Sequence, residues 1–459
     1  MAGDMFAPMM HGMVFSDMRQ IRYAMLPFSR PLDHPGTFTY VDSDSRRTTT
    51  VTFEKAPQEL KNAQWEGLQK LIWCRVKVEQ YHPNNIYISA DDKVSLMVDY
   101  DRDDVRVPFY VGPDQLGIAP ELISIIRRHE MEEVRRISDD VDLVCYPHRD
   151  HPDTKLSVFK YYYMKKNMFS LWAELQVYLN LPKHPSLLPL EKVVIDETYG
   201  LVVGFTTPFI KGGSWATNPN RVFKLRYLRR LCQVVDEVNF GLGIVHQDIA
   251  MRNLLLDETT DSIVLFDWDF AAPIGYSPTT HEEGSRCVSP RIDVWKVLET
   301  MYSFITGDSK PMTDANSLGQ PWPQRADVLL DAEPQDFKVV LKKWIEHLML
   351  FHHQIQTQSE ATRPFSWKTF PKPPKRKNPN TDIVTVDWAW DYPSILLAGL
   401  GEPVIDWLRP ASFQMKGEGL RTDCAGNIIG YLDDNGVGHY DVEDVEMDSG
   451  DFDMITSSL

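Results

Sequence analysis

Basic residues are in short supply: 48 lysines and arginines stand against 65 aspartates and glutamates, a formal net charge of −17 at pH 7. Taken as a whole, such a surface repels a phosphate backbone, which argues against non-specific nucleic-acid binding. Long apolar runs are missing too. Nothing approaches the roughly 18 consecutive apolar residues of a membrane-spanning helix, so no membrane partner is expected. The opening residues, MAGDMFAPMMHGMVFSDM, place no lysine or arginine ahead of an apolar run and do not read as a secretory signal. The five cysteines (Cys74, Cys145, Cys232, Cys287 and Cys424) are scattered without CxxC spacing, which excludes a disulfide framework or a zinc site of the usual kind. That pattern fits a reducing compartment, so a cytoplasmic or nuclear location is expected. Internal repeats are absent. What remains is ordinary globular composition, 43% hydrophobic and 25% charged over 459 residues, enough for two or three domains.

Residues 1–118 carry alternating runs at Thr49–Phe53, Asn85–Ser89 and Val94–Val98 that predict half-buried strands, with a helix over 57–75. They read as a small N-terminal α/β extension. From 119 the pattern changes. Ile123, Ile125 and Ile126 open a predicted helix, followed by strand-like runs at Val134–Ser138, Leu143–Tyr146 and Leu156–Lys160 and a helix over 168–181. Two apolar strands, Leu187–Ile195 and Leu201–Thr206, come next. A long helix over 221–240 carries Phe223, Leu228, Leu231, Val235 and Val238 at helical spacing, and further helices are predicted at 293–306 and 336–353. Residues 356–383 are polar and proline-rich, with a basic knot at Lys372–Lys377, and read as a linker that could carry a nuclear-localisation signal. Val384, Val386, Trp388 and Trp390 alternate at the start of an ordered extension, 384–432. The last 27 residues, 433–459, hold nine acidic residues and no lysine or arginine, which predicts disorder.

The run from Gly243 to Asp257, GIVHQDIAMRNLLLD, carries the strongest chemical signal. An apolar strand at Leu254–Leu256 leads away from it, and a hairpin at Asp257–Asp261 returns the chain through Ile263–Ala271. His246, Asp248 and Asn253 stand at the spacing of the HRDxxxxN catalytic loop, and the segment resembles that loop of protein kinases. The resemblance implies that Asp248 meets the attacking hydroxyl and that Asn253 holds magnesium. Asp267 falls where the family places the aspartate of DFG, its principal magnesium ligand. Lys160 ends Ser157–Lys160 and shares a face with Val158, as in the family's VAIK strand. Glu174 is the only acidic residue between 161 and 190, so it is the one partner the following helix offers. These two would bind and orient the ATP phosphates. Gly204–Ser214 resembles the hinge beside adenine. Asp293, opening an apolar helix that ends at Thr306-Gly307, would anchor the catalytic loop's backbone, with His246 in a structural role.

The implied fold is α+β and two-lobed, a small β-rich N-lobe followed by a helical C-lobe over 119–355, flanked by the N- and C-terminal extensions. Four departures stand out. No glycine occurs between Val134 and Lys160, where the family has its phosphate loop. Gln247 replaces the loop arginine. Ala250 replaces the lysine of Ser/Thr kinases, and Arg252 would supply the charge instead, as in the HRDLAARN variant. The segment from Asp267 to Asp293 is short, with Ser289-Pro-Arg291 in place of APE. The implied activity is ATP- and magnesium-dependent transfer of a γ-phosphate to a hydroxyl, on protein. Asp267-Trp-Asp269 also resembles aminoglycoside and choline kinases, which leaves a small-molecule acceptor open. The missing glycines leave a scaffold without catalysis open. The whole pattern most resembles divergent protein-kinase-like proteins of fungi.

Overall fold

The computed structural model describes residues 23–25, 37–42, 47–55, 85–90, 93–97, 110–118, 123–138, 140–146, 155–163, 168–216, 218, 220–275, 289–308, 318–355, 376–377, 384–385, 403–405, 407, 421–422, 428–432 and 438–440. The architecture is mixed α/β. An N-terminal sheet runs in the order β1 (Tyr23–Met25), β2 (Thr37–Asp42), β3 (Arg47–Phe53), β4 (Asn85–Ile88), β5 (Val94–Met97). Only β3 and β4 pair parallel. The three alternating runs of the sequence lie on β3, β4 and β5, and Val51, Phe53, Ile86 and Ile88 are the buried members of their period-two pattern. The helix expected over 57–75 lies outside the described residues.

A second, six-stranded sheet positions the site. Its strands are β6 (Ile125–Arg127), β7 (Glu132–Ser138), β8 (Val141–Tyr146), β9 (Lys155–Tyr161), β10 (Lys192–Ile195) and β11 (Val202–Pro208), in the spatial order β6-β10-β11-β9-β8-β7. Helix α1 (Met168–Asn180) joins β9 to β10 and packs on the sheet, with the Tyr178 ring 5.1 Å from that of Phe205 on β11. The strand order, antiparallel apart from β6 on β10, is compatible with the N-lobe of a protein kinase.

Two expectations in this region are corrected. The isoleucines at 123–126 do not open a helix. Ile125–Arg127 is a strand lying parallel to β10, as suits β-branched side chains with a partner edge beside them. The strand expected over Leu187–Ile195 is only Lys192–Ile195. Pro189 interrupts the run, and Leu187 makes a single bridge to Leu265.

The chain then becomes mainly helical. The helix expected over 221–240 divides in three. Val222–Phe223 is a strand, β12, paired with a later two-residue strand at Leu329–Leu330. Helix α2 (Leu225–Asp236) follows, and a wider π turn, Glu237–Leu242, ends at Gly243 in the left-handed region at φ 72°. The helical face predicted from Phe223, Leu228, Leu231, Val235 and Val238 is buried throughout. Short ladders pair β13 (Ile244–Val245) with β16 (Ala272–Pro273) and β14 (Leu254–Asp257) with β15 (Ser262–Leu265). Helices α3 (Arg291–Thr306) and α4 (Pro334–Ile355) close the region, and Trp344 of α4 donates its indole N–H to the Asp236 carboxylate at the end of α2, 3.0 Å away. One continuous apolar core runs from the second sheet through α1 to α2, α3 and α4.

Beyond 355, Arg376–Lys377, inside the basic stretch, pairs with Val384–Thr385. Gly438–Tyr440 forms a strand within the acidic tail, where composition alone predicts disorder; those three residues carry no acidic side chain. Among the described residues no helix is long and apolar enough to cross a membrane.

Candidate active site

Lys160 lies at the end of β9, where alternation sends Phe159 and Tyr161 into the core and Lys160 to the other face. Its ammonium meets Glu174 of α1 at 2.8 Å and Asp267 at 2.5 Å. Glu174 is almost wholly buried and three donors hold it: Lys160, the Tyr162 hydroxyl at 3.2 Å, and the backbone N–H of Trp268 at 3.2 Å. One carboxylate thus joins α1 to the segment around Asp267. Gly204 on β11 lets that strand lie close against β9, because a Cβ there would stand 2.2 Å from the Lys160 carbonyl oxygen. At the Gly-Gly turn a Cβ on Gly212 would sit 2.1 Å from the Leu256 carbonyl, so the turn lies directly on β14.

The loop 246–253 is held from below by α3. Asp293, in the first turn of that helix, accepts the backbone N–H groups of His246 at 2.8 Å and Gln247 at 2.7 Å. Asn239, on the π turn, donates its amide to the same carboxylate at 3.0 Å. Thr300, two turns along α3, donates to the Ile249 carbonyl at 2.7 Å. Gln247 and Asp267 both sit at positive φ, 67° and 69°. A non-glycine residue in that region costs about 1–3 kcal/mol, and the Asp293 and Lys160 contacts offset it.

His246 is fully buried, with Nε2 3.0 Å from the Phe266 carbonyl and Nδ1 accepting from the Asp248 N–H at 3.3 Å. These partners select the neutral tautomer protonated at Nε2, and burial holds the ring below its ordinary pKa. The Trp268 ring packs 4.6 Å from the imidazole. Arg252 grips both oxygens of Asp248, at 2.5 and 2.6 Å, and the Asn253 amide donates to the Asp248 side chain and carbonyl, each at 2.8 Å. The carboxylate is therefore fixed from two sides.

The electrostatics follow from four carboxylates, Glu174, Asp267, Asp269 and Asp248, gathered around one buried ammonium. Burial alone would push Asp267 up, but Lys160 against it holds it below the usual carboxylate range. Burial likewise opposes the charge on Lys160, and Glu174 with its acidic neighbours raises it well above normal. Asp269 is pushed up to about 7, by burial and by Asp267, Glu174 and Asp248, against the pull of Lys160. It was legible only as the second aspartate of Asp-Trp-Asp, with no role attached. Tyr162 was missed altogether; its position in the run Tyr161–Tyr163 directly after Lys160 was the available signal.

All eight residues singled out from the sequence lie in this region. Lys160, Glu174 and Asp267 form one cluster, Asp248, Arg252 and Asn253 a second, and His246 with Asp293 holds the loop beneath. The connection from β7 to β8 passes beside Lys160 at Asp140, whose carbonyl accepts from the Tyr161 N–H at 2.9 Å. An aspartate therefore stands where a phosphate loop has glycine. Among the described residues no three His, Cys, Asp or Glu come together to hold a metal unaided. The oxygen donors of Asp267 and Asn253 are nonetheless of the hard kind magnesium takes, usually through one or two carboxylates plus substrate phosphates.

No protein-family model matches the chain. Curated relatives do. Over 155 residues it is 24% identical to calcium-dependent protein kinase 4 of Arabidopsis thaliana, covering 30% of each chain. Over 97 residues it is 35% identical to the human hormonally up-regulated neu tumor-associated kinase, covering 18% of this chain and 13% of that one. The mouse counterpart is 28% identical over 139 residues. The match thus spans less than a third of the length of these relatives, and it supports a protein-kinase-like domain.

Proposed function

We propose that the chain is an ATP- and magnesium-dependent phosphotransferase with a two-lobed kinase-like domain, acting on a protein hydroxyl. The observation that carries this reading is the meeting of Lys160 with Glu174 and Asp267 beside an Asp248 carboxylate fixed by Arg252 and Asn253. Lys160 would grip the α- and β-phosphates, with Glu174 fixing its direction. Asp267 and Asn253 would hold magnesium, which neutralises developing phosphate charge. Asp248 would accept the acceptor's proton as its oxygen bonds to the γ-phosphorus and the bond to the bridging oxygen breaks, releasing ADP. Arg252 keeps Asp248 oriented and adds positive charge near the transferred group.

With Asp140 at the hairpin in place of glycine amides, nucleotide binding should be weak. A dissociation constant of order 10⁻⁴ M or poorer, about −5.5 kcal/mol, is expected. That same hairpin favours a second reading, a scaffold that holds nucleotide or partner without turnover. Transfer from ATP to protein acceptors, with Asp248→Asn as control, separates the two. Loss of a positioned base costs about 10² to 10⁴ in rate, so the variant should retain nucleotide binding and lose transfer. Equal turnover would remove Asp248 from the mechanism. Nucleotide binding with no transfer by the wild type would favour the scaffold.

A further inference from the structure

A residue nearly 250 positions after Lys160 in the chain is built into the surroundings of the clamp. Trp407 is buried against the face of the second sheet opposite Lys160, stacked on the Tyr161 ring at 5.1 Å and 23°. The Arg128 guanidinium covers it, 5.0 Å from the ring centre, and is held in turn by Glu197. Its indole N–H donates to the Tyr110 hydroxyl at 2.9 Å, and that hydroxyl donates to the Tyr162 carbonyl at 2.6 Å. Tyr162 is the first residue past the end of β9, where the ladder no longer supplies its carbonyl with a partner. Its own phenol, kept protonated chiefly by burial, donates to Glu174.

We propose that Trp407 is a positioning residue for Lys160, acting through the Tyr110 hydroxyl on the Tyr162 backbone and from there through the Tyr162 phenol on Glu174. The proposal rests on the reading of Lys160 as the phosphate ligand. Three features carry it. Hydrogen bonds link Trp407 to the Tyr162 backbone and the Tyr162 phenol to Glu174 and so to Lys160, the two halves joined through the Tyr162 residue itself. Every ring in the relay is at least nine-tenths buried, so water does not compete for the bonds. Tyr161, on which Trp407 stacks, directly follows Lys160 in the strand. A segment outside the kinase-like region thus sets how firmly the ammonium is aimed.

The test uses the full chain and two readouts. Acetylation of Lys160 by an N-hydroxysuccinimide ester, followed by peptide mass spectrometry, reports the clamp without nucleotide; exposed Lys211 serves as the internal reference. Trp407→Leu should raise the Lys160 rate at least fivefold relative to Lys211. Tyr110→Phe, which removes a single oxygen and preserves the packing if the leucine variant does not fold, should do the same. In a Tyr162→Phe background neither change should add to the effect. MgATP affinity by calorimetry should fall about tenfold in the same variants. Unchanged Lys160 labelling overturns the proposal, and so does a parallel rise at all lysines, which would mark general loosening. If the wild type binds no nucleotide, the phosphotransferase reading fails, while the labelling still decides the role of Trp407.

Discussion

On the proposed reading, Lys160 would carry more of this site than its counterpart in a domain with a glycine loop, because fewer other groups would reach the phosphates. Its charge is also structural. Glu174 is buried with Lys160 as its only close cation among the described residues, and removing one partner of a buried pair typically costs about 3–5 kcal/mol, since the other charge is left uncompensated. Lys160→Met should therefore both abolish measurable nucleotide binding and lower the denaturant midpoint. The two losses are separable. Adding Glu174→Gln removes the stranded charge and should restore most of the stability but none of the affinity, as read by chemical denaturation and calorimetry side by side. Equal nucleotide affinity in wild type and Lys160→Met would mean that β9 does not bring the phosphate ligand.

At the scale of elements, the β7–β8 hairpin is where, on the proposed reading, the site would depart most from an ordinary nucleotide clasp. Asp140 sits at its turn, close enough for its charge to add to the rise of the Tyr162 phenol, which burial dominates. A carboxylate there repels phosphate. One unit charge in water contributes about 1 kcal/mol at contact distance, so Asp140→Asn should tighten MgATP binding roughly threefold to tenfold with little change in stability. Unchanged affinity would put the phosphates away from this hairpin. The glycine-free stretch itself was legible in the sequence, as were the strands, helices and loop that carry charged groups at fixed spacing. The split of the 221–240 helix was not. Its apolar period continues through Val238, but the Val222–Phe223 pairing and the π turn depend on Leu329–Leu330 and Gly243, which local periodicity does not register. The place of Trp407 was illegible for a stronger reason, since its partner Tyr110 lies 297 residues away in the chain.

For the whole molecule, Asp293 ties the stability of the helical region to pH. Burial pushes its carboxyl up to about 7, against the bonds donated by His246, Gln247 and Asn239, while in the unfolded chain it titrates near 3.8. The folded state thus holds a proton that the unfolded state has released anywhere between these values. The stability this contributes is full below about pH 4 and is lost as pH rises through 7, at up to about 1.4 kcal/mol per pH unit. Other groups act in the same window. His246, held neutral chiefly by burial, contributes the opposite slope as pH rises through its ordinary value. Accumulating negative charge on a chain already at −17 adds repulsion. A difference measurement cancels both. Asp293→Asn cannot titrate and supplies one acceptor oxygen instead of two, so it should be less stable than wild type at every pH. The gap in free energy of unfolding should be widest near pH 4.5, narrow up to about pH 7 and level off toward pH 8. Urea denaturation of both proteins across that range measures it. A gap that stays constant or widens with pH would mean that the carboxyl is ionised throughout, held as an anion by the two backbone N–H groups at the start of the loop.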